Sequence, residues 1–545
     1  MSPASARTLR GDIFGGLTAA VVALPLALAF GVASGAGAIA GLWGAIASGF
    51  FAAVLGGTRA QVSGPTGPMT VVMGAVVAQY AQNLAEAFTI VMLGGLFQIA
   101  FGLARLGRFV SYTPYSVVSG FMSGIGVIII LIQALPFFGL PAAEGGPIGA
   151  VLAWPAIPDA VNAEALAIGI ACLFIMIAWP RRAAHILPAP LAALVVGTLM
   201  GIVALGGAPV IGEVPGGLPE LVVPTLVLDE LPQILQAALV LALLGSIDSL
   251  LTSLVADSIT RTRHDSDREL IGQGIGNLAA GLVGGLPGAG ATMRTVVNVR
   301  AGGTTPLSGA LHAVVLLGFA LGLGPLAERV PHAALAGILL KVGWDIIDWG
   351  YLRRLRHAPR DKVSVMLITM GLTVAVDLIT AVAVGLIVAG FATARWMEVE
   401  EMKGVEAIAL PAPGTGPLHP ETASALADSA GRIQLIRMRG RFSYASARQL
   451  TRALGRTVTE TRAVVFDFTE AAHIDTSAAM ALEELVRSAQ DAGAVCHVAA
   501  LSGVARKTLA GLGVLDLVGH GRVHPDREAA VAAALAEIGG KAEAA

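Results

Sequence analysis

The segment that decides the fold runs from residue 245 to residue 300 and contains GSIDSLLTSLVADSIT (245–260) and GGLPGAGATMRTVV (284–297). The apolar run Ala237–Ala256 carries one acid, Asp248, and the glycine-broken segment Gly284–Val297 carries one base, Arg294. An isolated charge at the centre of a bilayer costs about 2.5–3.5 kcal/mol or more, so such residues indicate function. We interpret Asp248 as part of a cation site and Arg294 as part of an anion site.

The composition is that of a membrane protein. Of the 545 residues, 55% are hydrophobic and 13% are charged, whereas soluble domains are about 25% charged. The net charge of −2 argues against a nucleic-acid partner. We find no nucleophile–base pair, phosphate loop or metal cluster in the sequence, which argues against an enzyme and against a cofactor. The two cysteines, Cys172 and Cys496, fall in a predicted span and a predicted soluble domain, so a disulfide between them is not expected.

Fourteen apolar segments can be drawn, and most approach the ~20 residues that cross a bilayer core. They cover residues 13–32, 38–56, 65–80, 86–104, 113–138, 164–179, 187–206, 232–256, 269–286, 292–300, 305–327, 332–348, 363–379 and 380–397. The run from Ile13 lacks a small-residue cleavage pattern, so we interpret it as a span and not as a removed signal peptide.

The positions of the basic residues predict the topology. The long loops 139–163 and 207–231 contain no Lys or Arg, whereas Arg59, Arg181 with Arg182, and the cluster between Arg353 and Lys362 fall on the other side. By the positive-inside rule both termini are cytoplasmic, and the expected location is the inner (plasma) membrane.

The C-terminal part has a different pattern. We divide the chain into a cytoplasmic N-terminus (1–12), a transmembrane domain (13–400), a linker (401–430) marked by Pro411, Pro413 and Pro417, and a domain of alternating strands and helices (431–545). This alternation predicts a small α/β domain.

Two short segments are broken in the same way. SGPTGPMT (63–70) opens the third segment and GAGATMRT (288–295) opens the tenth, which is the third of a second set of seven. Paired interruptions of this kind predict inverted repeats with a site at the midplane. Helices that start there present free N–H groups and positive dipole ends, which favour an anion. The alternative is that these glycines only permit close packing.

Several motifs resemble the SulP family of anion transporters. They are GDIFGGLTAAVVALPLALAFGVASG (11–35), PTGPMT (65–70), GSIDSLLTSLVADSITRTRHDSDRELIGQGIGN (245–277) and GATMRTVVNVRAGGTTPLSG (290–309). The C-terminal domain is similar to a STAS domain. The resemblance implies fourteen segments in two inverted repeats of seven, with half-helices 3 and 10. It also implies a core domain (spans 1–4 and 8–11) that moves against a gate domain (5–7 and 12–14), and a homodimer in the lipid bilayer.

The resemblance places an arginine at the anion site, which corresponds to Arg294; the alternative is that Arg294 snorkels to an interface. Along its core the chain is most similar to sodium-coupled bicarbonate carriers, where we expect a small residue at this position, so Arg294 is a departure. The predicted substrate-binding residues are Phe30, Thr66, Ala291, Thr292, Met293 and Arg294. For Thr66 a helix cap is a further expectation, and for Phe30 simple packing is the alternative.

Asp248 and Thr252 are four residues apart and share one helix face. With backbone carbonyls near Gly290 and Thr292 they can form an oxygen cage for Na⁺, and the matching positions hold Na⁺ in the sodium-coupled carriers. Two alternatives are a structural pair of Asp248 with Arg294 and coupling to protons. In the STAS-like domain, Thr476 and Ser477 are candidates for regulatory phosphorylation, with an ordinary helix N-cap as the default.

We therefore expect a secondary active transporter of an inorganic anion, bicarbonate or sulphate, that works as a Na⁺ symporter by an elevator movement. The alternatives are an H⁺-coupled dicarboxylate, sulphate or nucleobase carrier, and an anion channel or sensor.

Overall fold

The computed structural model describes residues 3–80, 82–110, 114–143, 145–180, 183, 187–212, 217–322, 327–376, 378–412, 419–427 and 431–543. Arg181, Arg182, Pro413 and Pro417, which entered the topology and linker predictions, lie outside these residues. The chain divides into two compact units, Met1–Ala389 and Gly390–Ala545.

Each of the fourteen predicted segments contains a helix. In chain order these are α1 (Pro3–Ala33), α2 (Ala38–Leu55), α3 (Gly67–Gln79), α4 (Leu84–Leu103), α5 (Tyr115–Phe137), α6 (Ala163–Ala178), α7 (Ala189–Val203), α8 (Leu231–Thr260), α9 (Ser266–Leu282), α10 (Thr292–Arg300), α11 (Pro306–Gly322), α12 (His332–Ile346), α13 (Arg360–Ala375) and α14 (Leu378–Met402). Short helices at Gly107–Val110, Gly146–Ala153, Ile157–Ala160 and Trp349–Arg354 lie between them.

Helix length separates full spans from broken ones. Among the described residues, six helices are long and apolar enough to cross a membrane, or seven if the bent pair Gly146–Ala160 and Ala163–Ala178 is one span. Three more apolar helices, α3, α7 and α11, are shorter than a full span. The short α3 is one of the two half-helices that the glycine- and proline-broken sequence predicts.

The packing of the first unit reflects two related sets of seven helices. Helix α2 packs against α9 and α11, and α9 packs against α2 and α4. Helices seven positions apart correspond to each other, so that α2 corresponds to α9 and α11 to α4. The contacts of α2 therefore correspond to the contacts of α9. The same correspondence relates the contact of α1 with α11 to that of α8 with α4.

The helices fall into the two groups that the resemblance implies. Helices α1–α4 and α8–α11 pack mainly on one another, whereas α5 packs on α12 and α13, and α12 packs on α6 and α7. Helix α14 approaches α13 and α5 at Gly385, where an added Cβ would meet Thr369 and Val117. We refer to these sets as the core group and the gate group.

The second unit is an α/β domain, as predicted. Its sheet has the order β3 (Val405–Leu410), β4 (Ile433–Phe442), β5 (Ala463–Ile474), β6 (Val495–Ala499), β7 (Val523–His524). Strand β3 is antiparallel to β4, and the other neighbours are parallel. The helices are α15 (Pro420–Ala427), α16 (Tyr444–Thr459), α17 (Thr476–Asp491), α18 (Gly503–Gly511), α19 (Val514–Val518) and α20 (Arg527–Glu543). Strand β3 and helix α15 lie within the stretch 401–430 that the proline content suggests is a linker.

Both faces of this sheet are buried. On β4 and β5, Ile436 and Phe466 belong to one apolar cluster, and Leu435 and Val465 belong to a second one. Neighbouring residues on a strand point to opposite faces, so near-continuous apolar strands are what a parallel sheet covered on both sides requires.

Candidate functional site: two half-helices joined by a buried ribbon

A two-residue ribbon holds the two broken segments together. Strand β1 (Ser63–Gly64) pairs antiparallel with β2 (Ala289–Gly290), so that Ser63 lies opposite Gly290. Both strands are buried. Each strand leads directly into a half-helix, β1 into α3 and β2 into α10, so the N-termini of the two half-helices lie at the same ribbon.

Glycine is required in this ribbon because the chains approach closely. Gly64 has a φ of 156°, and a Cβ there would clash with Nη1 of Arg294. A Cβ at Gly290 would likewise clash with the side-chain amide of Gln61. The glycines of the broken segments therefore do more than permit general helix packing, because they let the backbone approach charged and polar side chains.

Asp248 contacts the first half-helix directly. Its side chain is 8% exposed, and its Oδ2 accepts a hydrogen bond from the hydroxyl of Thr66 at 2.8 Å. Thr66 is the residue before α3, but its side chain makes no capping hydrogen bond. Thr66 thus occupies the N-cap position, as expected, but its hydroxyl oxygen accepts no hydrogen bond from the first turn of α3, and its proton is donated to the carboxylate of Asp248.

The other three predicted cation ligands meet one turn further along α8. The hydroxyl of Thr252 donates to the carbonyl oxygen of Gly290 at 2.9 Å and lies 2.7 Å from the hydroxyl of Thr292. Ser249, which lies between Asp248 and Thr252 on α8, accepts a hydrogen bond from the N–H of Gly290 at 3.0 Å. This is a set of oxygen ligands beside a carboxylate, which suits a hard cation. Among the described residues, no group of three or more His, Cys, Asp or Glu side chains is placed to hold a metal ion.

Arg294 is buried between the half-helices. It is 2% exposed, and its Nη2 donates to the carbonyl oxygen of Pro65 at 2.5 Å. Its Nη1 has no hydrogen-bond partner among the described residues. The alternative that Arg294 snorkels to an interface is therefore wrong. Arg294 and Asp248 do not form an ion pair with each other: Asp248 accepts from Thr66, and Arg294 donates to Pro65.

The remaining predicted substrate residues occupy different surroundings. Ala291 precedes α10 and is 7% exposed, whereas Met293 in the first turn of α10 is 67% exposed. Thr292 is also exposed. Phe30 is 4% exposed and packs in the apolar cluster that contains Met69 and Met73 of α3.

A second buried acid, Glu269, was missed in the sequence. It is 1% exposed and accepts four hydrogen bonds. The backbone N–H groups of Gly57 and Thr58 donate at 2.9 Å each, and the side-chain amides of Gln61 and Gln273 donate at 2.7 and 2.8 Å. Gln61 contacts the ribbon at Gly290, so this network supports the site from behind.

The signal that could have found this network is a polar stripe on α9. Glu269, Gln273 and Asn277 are spaced by four residues and therefore share one helix face. Asn277 accepts from the N–H of Gly288 at 2.6 Å and donates to its carbonyl oxygen at 2.9 Å, which fixes the approach to β2.

Unpartnered polar atoms also cluster beside α10. His312 is fully buried, and neither ring nitrogen has a hydrogen-bond partner among the described residues. The same holds for Oδ1 of Asn298, whose amide nitrogen donates to Ala60 and Ser308. A buried polar group without a partner is costly. Because several such groups cluster here, the region beside Arg294 is a polar interior within apolar helices.

In the α/β domain, Thr476 and Ser477 are the first two residues of α17. Asp475 caps this helix by accepting from the N–H of Ala478 at 2.8 Å, and its other oxygen accepts from the N–H of Tyr444 at 2.7 Å. The default expectation of an ordinary N-cap at this strand-to-helix junction is confirmed.

Taken together, the apolar helices, the two sets of seven and the ribbon-linked half-helices define a polytopic membrane transport protein with an attached α/β domain. The chain belongs to the sulfate permease family, whose model matches residues 9–370, and a STAS domain model matches residues 425–530. It is an anion transporter of that family and not an enzyme.

The comparisons with individual proteins agree with this assignment. The bicarbonate transporter BicA of Synechocystis sp. is 44% identical over 540 residues, covering 98% of this chain and 95% of that protein. The putative sulfate transporter YvdB of Bacillus subtilis is 34% identical over 388 residues, covering 69% and 72%. The solved transmembrane domain of a cyanobacterial bicarbonate transporter BicA is 52% identical with a TM-score of 0.66, covering 69% of this chain and 98% of that one. The structure of SLC26A9 shares the fold, with a TM-score of 0.81 at 17% identity over 98% of this chain and 91% of that one.

Proposed function

We propose that this protein is a secondary active transporter that moves bicarbonate together with Na⁺. The observation that carries the proposal is the antiparallel ribbon of Ser63–Gly64 with Ala289–Gly290, which puts the N-termini of α3 and α10 side by side with the buried Arg294. Two helix N-termini and a guanidinium together favour an anion. The similarity to BicA proteins along nearly the whole chain supports bicarbonate as the anion.

The anion site is assigned to the starts of the two half-helices. Thr66, Ala291, Thr292 and Met293 lie at these starts. Arg294, which is bonded to the carbonyl oxygen of Pro65, supplies a fixed positive charge, and Phe30 forms the apolar side next to α3. Arg294 cannot be neutralised at physiological pH, so anion affinity stays independent of its protonation.

The cation site is assigned to Asp248 and Thr252 with the backbone at Gly290 and the hydroxyl of Thr292. The support is the hydrogen bond from Thr252 to Gly290 and the adjacent hydroxyl of Thr292. Because β2 also leads into α10, cation binding at Gly290 and anion binding at the start of α10 act on the same short segment. This shared segment is the physical basis that we propose for coupling.

Transport follows an elevator movement in which the core group carries the site across the membrane against the gate group. The support is the division of the helix contacts into these two groups. We further propose a homodimer in the inner membrane with both termini in the cytoplasm, as the distribution of basic residues predicts. Regulation through phosphorylation of Thr476 or Ser477 remains a separate hypothesis.

One observation favours a second candidate, a carrier of sulphate or a dicarboxylate. Nη1 of Arg294 has no hydrogen-bond partner among the described residues, and a guanidinium pairs well with an anion that carries two negative charges. The similarity to YvdB, a putative sulfate transporter, also supports this candidate. In this candidate, protons replace Na⁺ as the coupling ion.

The deciding experiment is uptake into proteoliposomes at fixed pH, with labelled bicarbonate, sulphate or succinate outside. Each anion is tested with an inward Na⁺ gradient and with Na⁺ replaced by choline, and protein-free liposomes correct for leakage of CO₂. We expect Na⁺-dependent uptake of bicarbonate and none of sulphate. Uptake of sulphate or succinate that is independent of the Na⁺ gradient would overturn the proposal in favour of the second candidate. Conductance far above carrier rates would indicate a channel.

A further inference from the structure

An apolar cavity separates α7 of the gate group from three helices of the core group. It has a volume of about 340 Å³ and is bounded by α7 on one side and by α1, α2 and α11 on the other, with Ala327 and Val330, between α11 and α12, completing the lining. On the core side, Leu28 lies towards the end of α1 and Leu42 lies near the start of α2, so the cavity is near the turn between these helices.

The lining is suited to hydrocarbon and not to water. Thr198 is the only polar side chain among the described residues that line the cavity. Its hydroxyl already donates to the carbonyl oxygen of Leu194 at 2.7 Å, so it presents no free donor to the cavity. An apolar cavity of even ~150 Å³ stays dry and accepts an apolar molecule.

The cavity opens on the surface that faces the bilayer. Its rim includes Leu199 on α7, which is 54% exposed, and Val195 and Ile202, which are each 44% exposed. These residues lie on an apolar helix of the membrane domain, where the surrounding medium is lipid tails. The group that reaches such an opening is an acyl chain.

We propose that this cavity is a binding site for one acyl chain of a membrane phospholipid, inserted between α7 and the core group. The chain fills space that neither group fills with its own side chains. Because the walls belong to different groups, any movement of the core group past the gate group must change or empty the site. This last consequence depends on the proposed elevator movement, whereas occupancy of the site does not.

Occupancy is tested by photolabelling of the full-length protein in nanodiscs of phosphatidylethanolamine and phosphatidylglycerol, with a diazirine midway along one acyl chain of a small fraction of the lipid. Labelled residues are identified by mass spectrometry. We expect labelling at Leu28 and Leu194, inside the cavity, to exceed labelling at Ile170 and Phe174, which are exposed on α6, by at least several-fold. Equal or lower labelling inside the cavity would overturn the proposal.

A matched pair of variants on α7 tests the location. Thr198→Trp fills the cavity, whereas Val196→Trp adds the same side chain at an exposed position of the same helix that does not line it. We expect Thr198→Trp to reduce cavity labelling to the level of α6, and Val196→Trp to leave it unchanged. Should Thr198→Trp fail to fold, Ala320→Leu on the opposite wall replaces it. Labelling that survives a folded filling variant would contradict the site.

The transport measurement separates this inference from the proposed function. The two variants are compared for anion uptake in liposomes with acyl chains of different length. If Thr198→Trp loses labelling but transports the anion at an unchanged rate, the lipid site is supported and its link to the elevator movement is contradicted. A failure of wild-type uptake contradicts the proposed function and leaves the labelling result intact.

Discussion

The hydroxyl of Thr66 donates a hydrogen bond to Oδ2 of Asp248 at 2.8 Å. The two residues are 182 positions apart in the chain, and they belong to different repeats. Thr66 precedes the half-helix of the first repeat, and Asp248 lies on the first helix of the second repeat. The buried acid is therefore linked directly to one half of the proposed anion site.

Replacing Asp248 by Asn should weaken Na⁺ binding while keeping the local geometry. The amide oxygen of Asn can still accept from Thr66, but the negative charge that attracts Na⁺ is lost. We expect the apparent Na⁺ affinity to fall at least about tenfold, which corresponds to roughly 1.4 kcal/mol. The measurement is the Na⁺ dependence of uptake in proteoliposomes.

The matched control for Asp248 is Asp257→Asn on the same helix. Asp257 pairs with His264 near the end of α8, away from the ribbon. This variant should keep wild-type Na⁺ dependence. If Asp248→Asn also keeps it, Asp248 is not the coupling residue.

Replacing Arg294 by Met should weaken anion binding. The variant loses the buried positive charge and the hydrogen bond to Pro65, so the two half-helices lose both an electrostatic attraction for the anion and a link to each other. We expect the KM for the anion to rise by roughly tenfold or more, since a hydrogen bond to a charged group contributes about 1.5–3 kcal/mol. Initial uptake rates over a range of anion concentrations give this value.

Arg300→Met serves as the control for Arg294, because Arg300 is an exposed base at the end of the same helix α10. It changes the net charge equally and should leave the KM near that of the wild type. An equal effect of both variants would show that net charge, and not the position of Arg294, determines anion affinity.

Replacing Glu269 by Gln should destabilise the membrane domain. The four donors around Glu269 need four acceptor positions, and the new amide presents its own N–H groups to at least one of them. An unsatisfied buried donor costs about 1–3 kcal/mol. Thermal unfolding in detergent should therefore occur at lower temperature. Glu86→Gln, at a half-buried position in the first turn of α4, should unfold like the wild type, because the new amide oxygen can still accept from Asn83. An unchanged melting temperature for Glu269→Gln would mean that the network contributes nothing to stability.

The α/β domain should lose stability in mild acid because of His497. Burial lowers the pKa of His497 to about 4, and only part of this effect is offset by the attraction of Glu537. In the unfolded chain a histidine takes up its proton near pH 6.5. Between these values the unfolded state binds more protons, so stability is highest above about pH 6.5 and falls as the pH drops towards 4, by up to about 3 kcal/mol.

Urea denaturation of residues 404–545 at several pH values, followed by circular dichroism, measures this loss. His497→Gln should remove most of the pH dependence. His520→Gln should retain it, because the side chain of His520 is 87% exposed. A pH dependence that survives His497→Gln would assign it to other groups.

The helices and strands could be predicted from the sequence more fully than the residues around the site. The fourteen segments, the half-helices at Gly67 and Thr292 and the strands and helices after Ile433 follow from local patterns of hydropathy, glycine and proline, which one stretch of chain contains by itself. Glu269 did not stand out, because an acid near a predicted loop is usually solvated. Its burial depends on donors that tertiary structure brings to it, above all the distant N–H groups of Gly57 and Thr58 and the amide of Gln61.

The sequence alone determined that Asp248 and Arg294 are isolated charges in apolar surroundings, since the cost of burying a charge can be read from its neighbours in the chain. Tertiary structure decided what each charge contacts. The ribbon between Ser63 and Gly290 brings together segments more than 200 residues apart, and it directs Arg294 towards Pro65 and Asp248 towards Thr66. Such contacts depend on how the two repeats pack against each other, and the sequence near one residue does not reveal which distant segment will pack beside it.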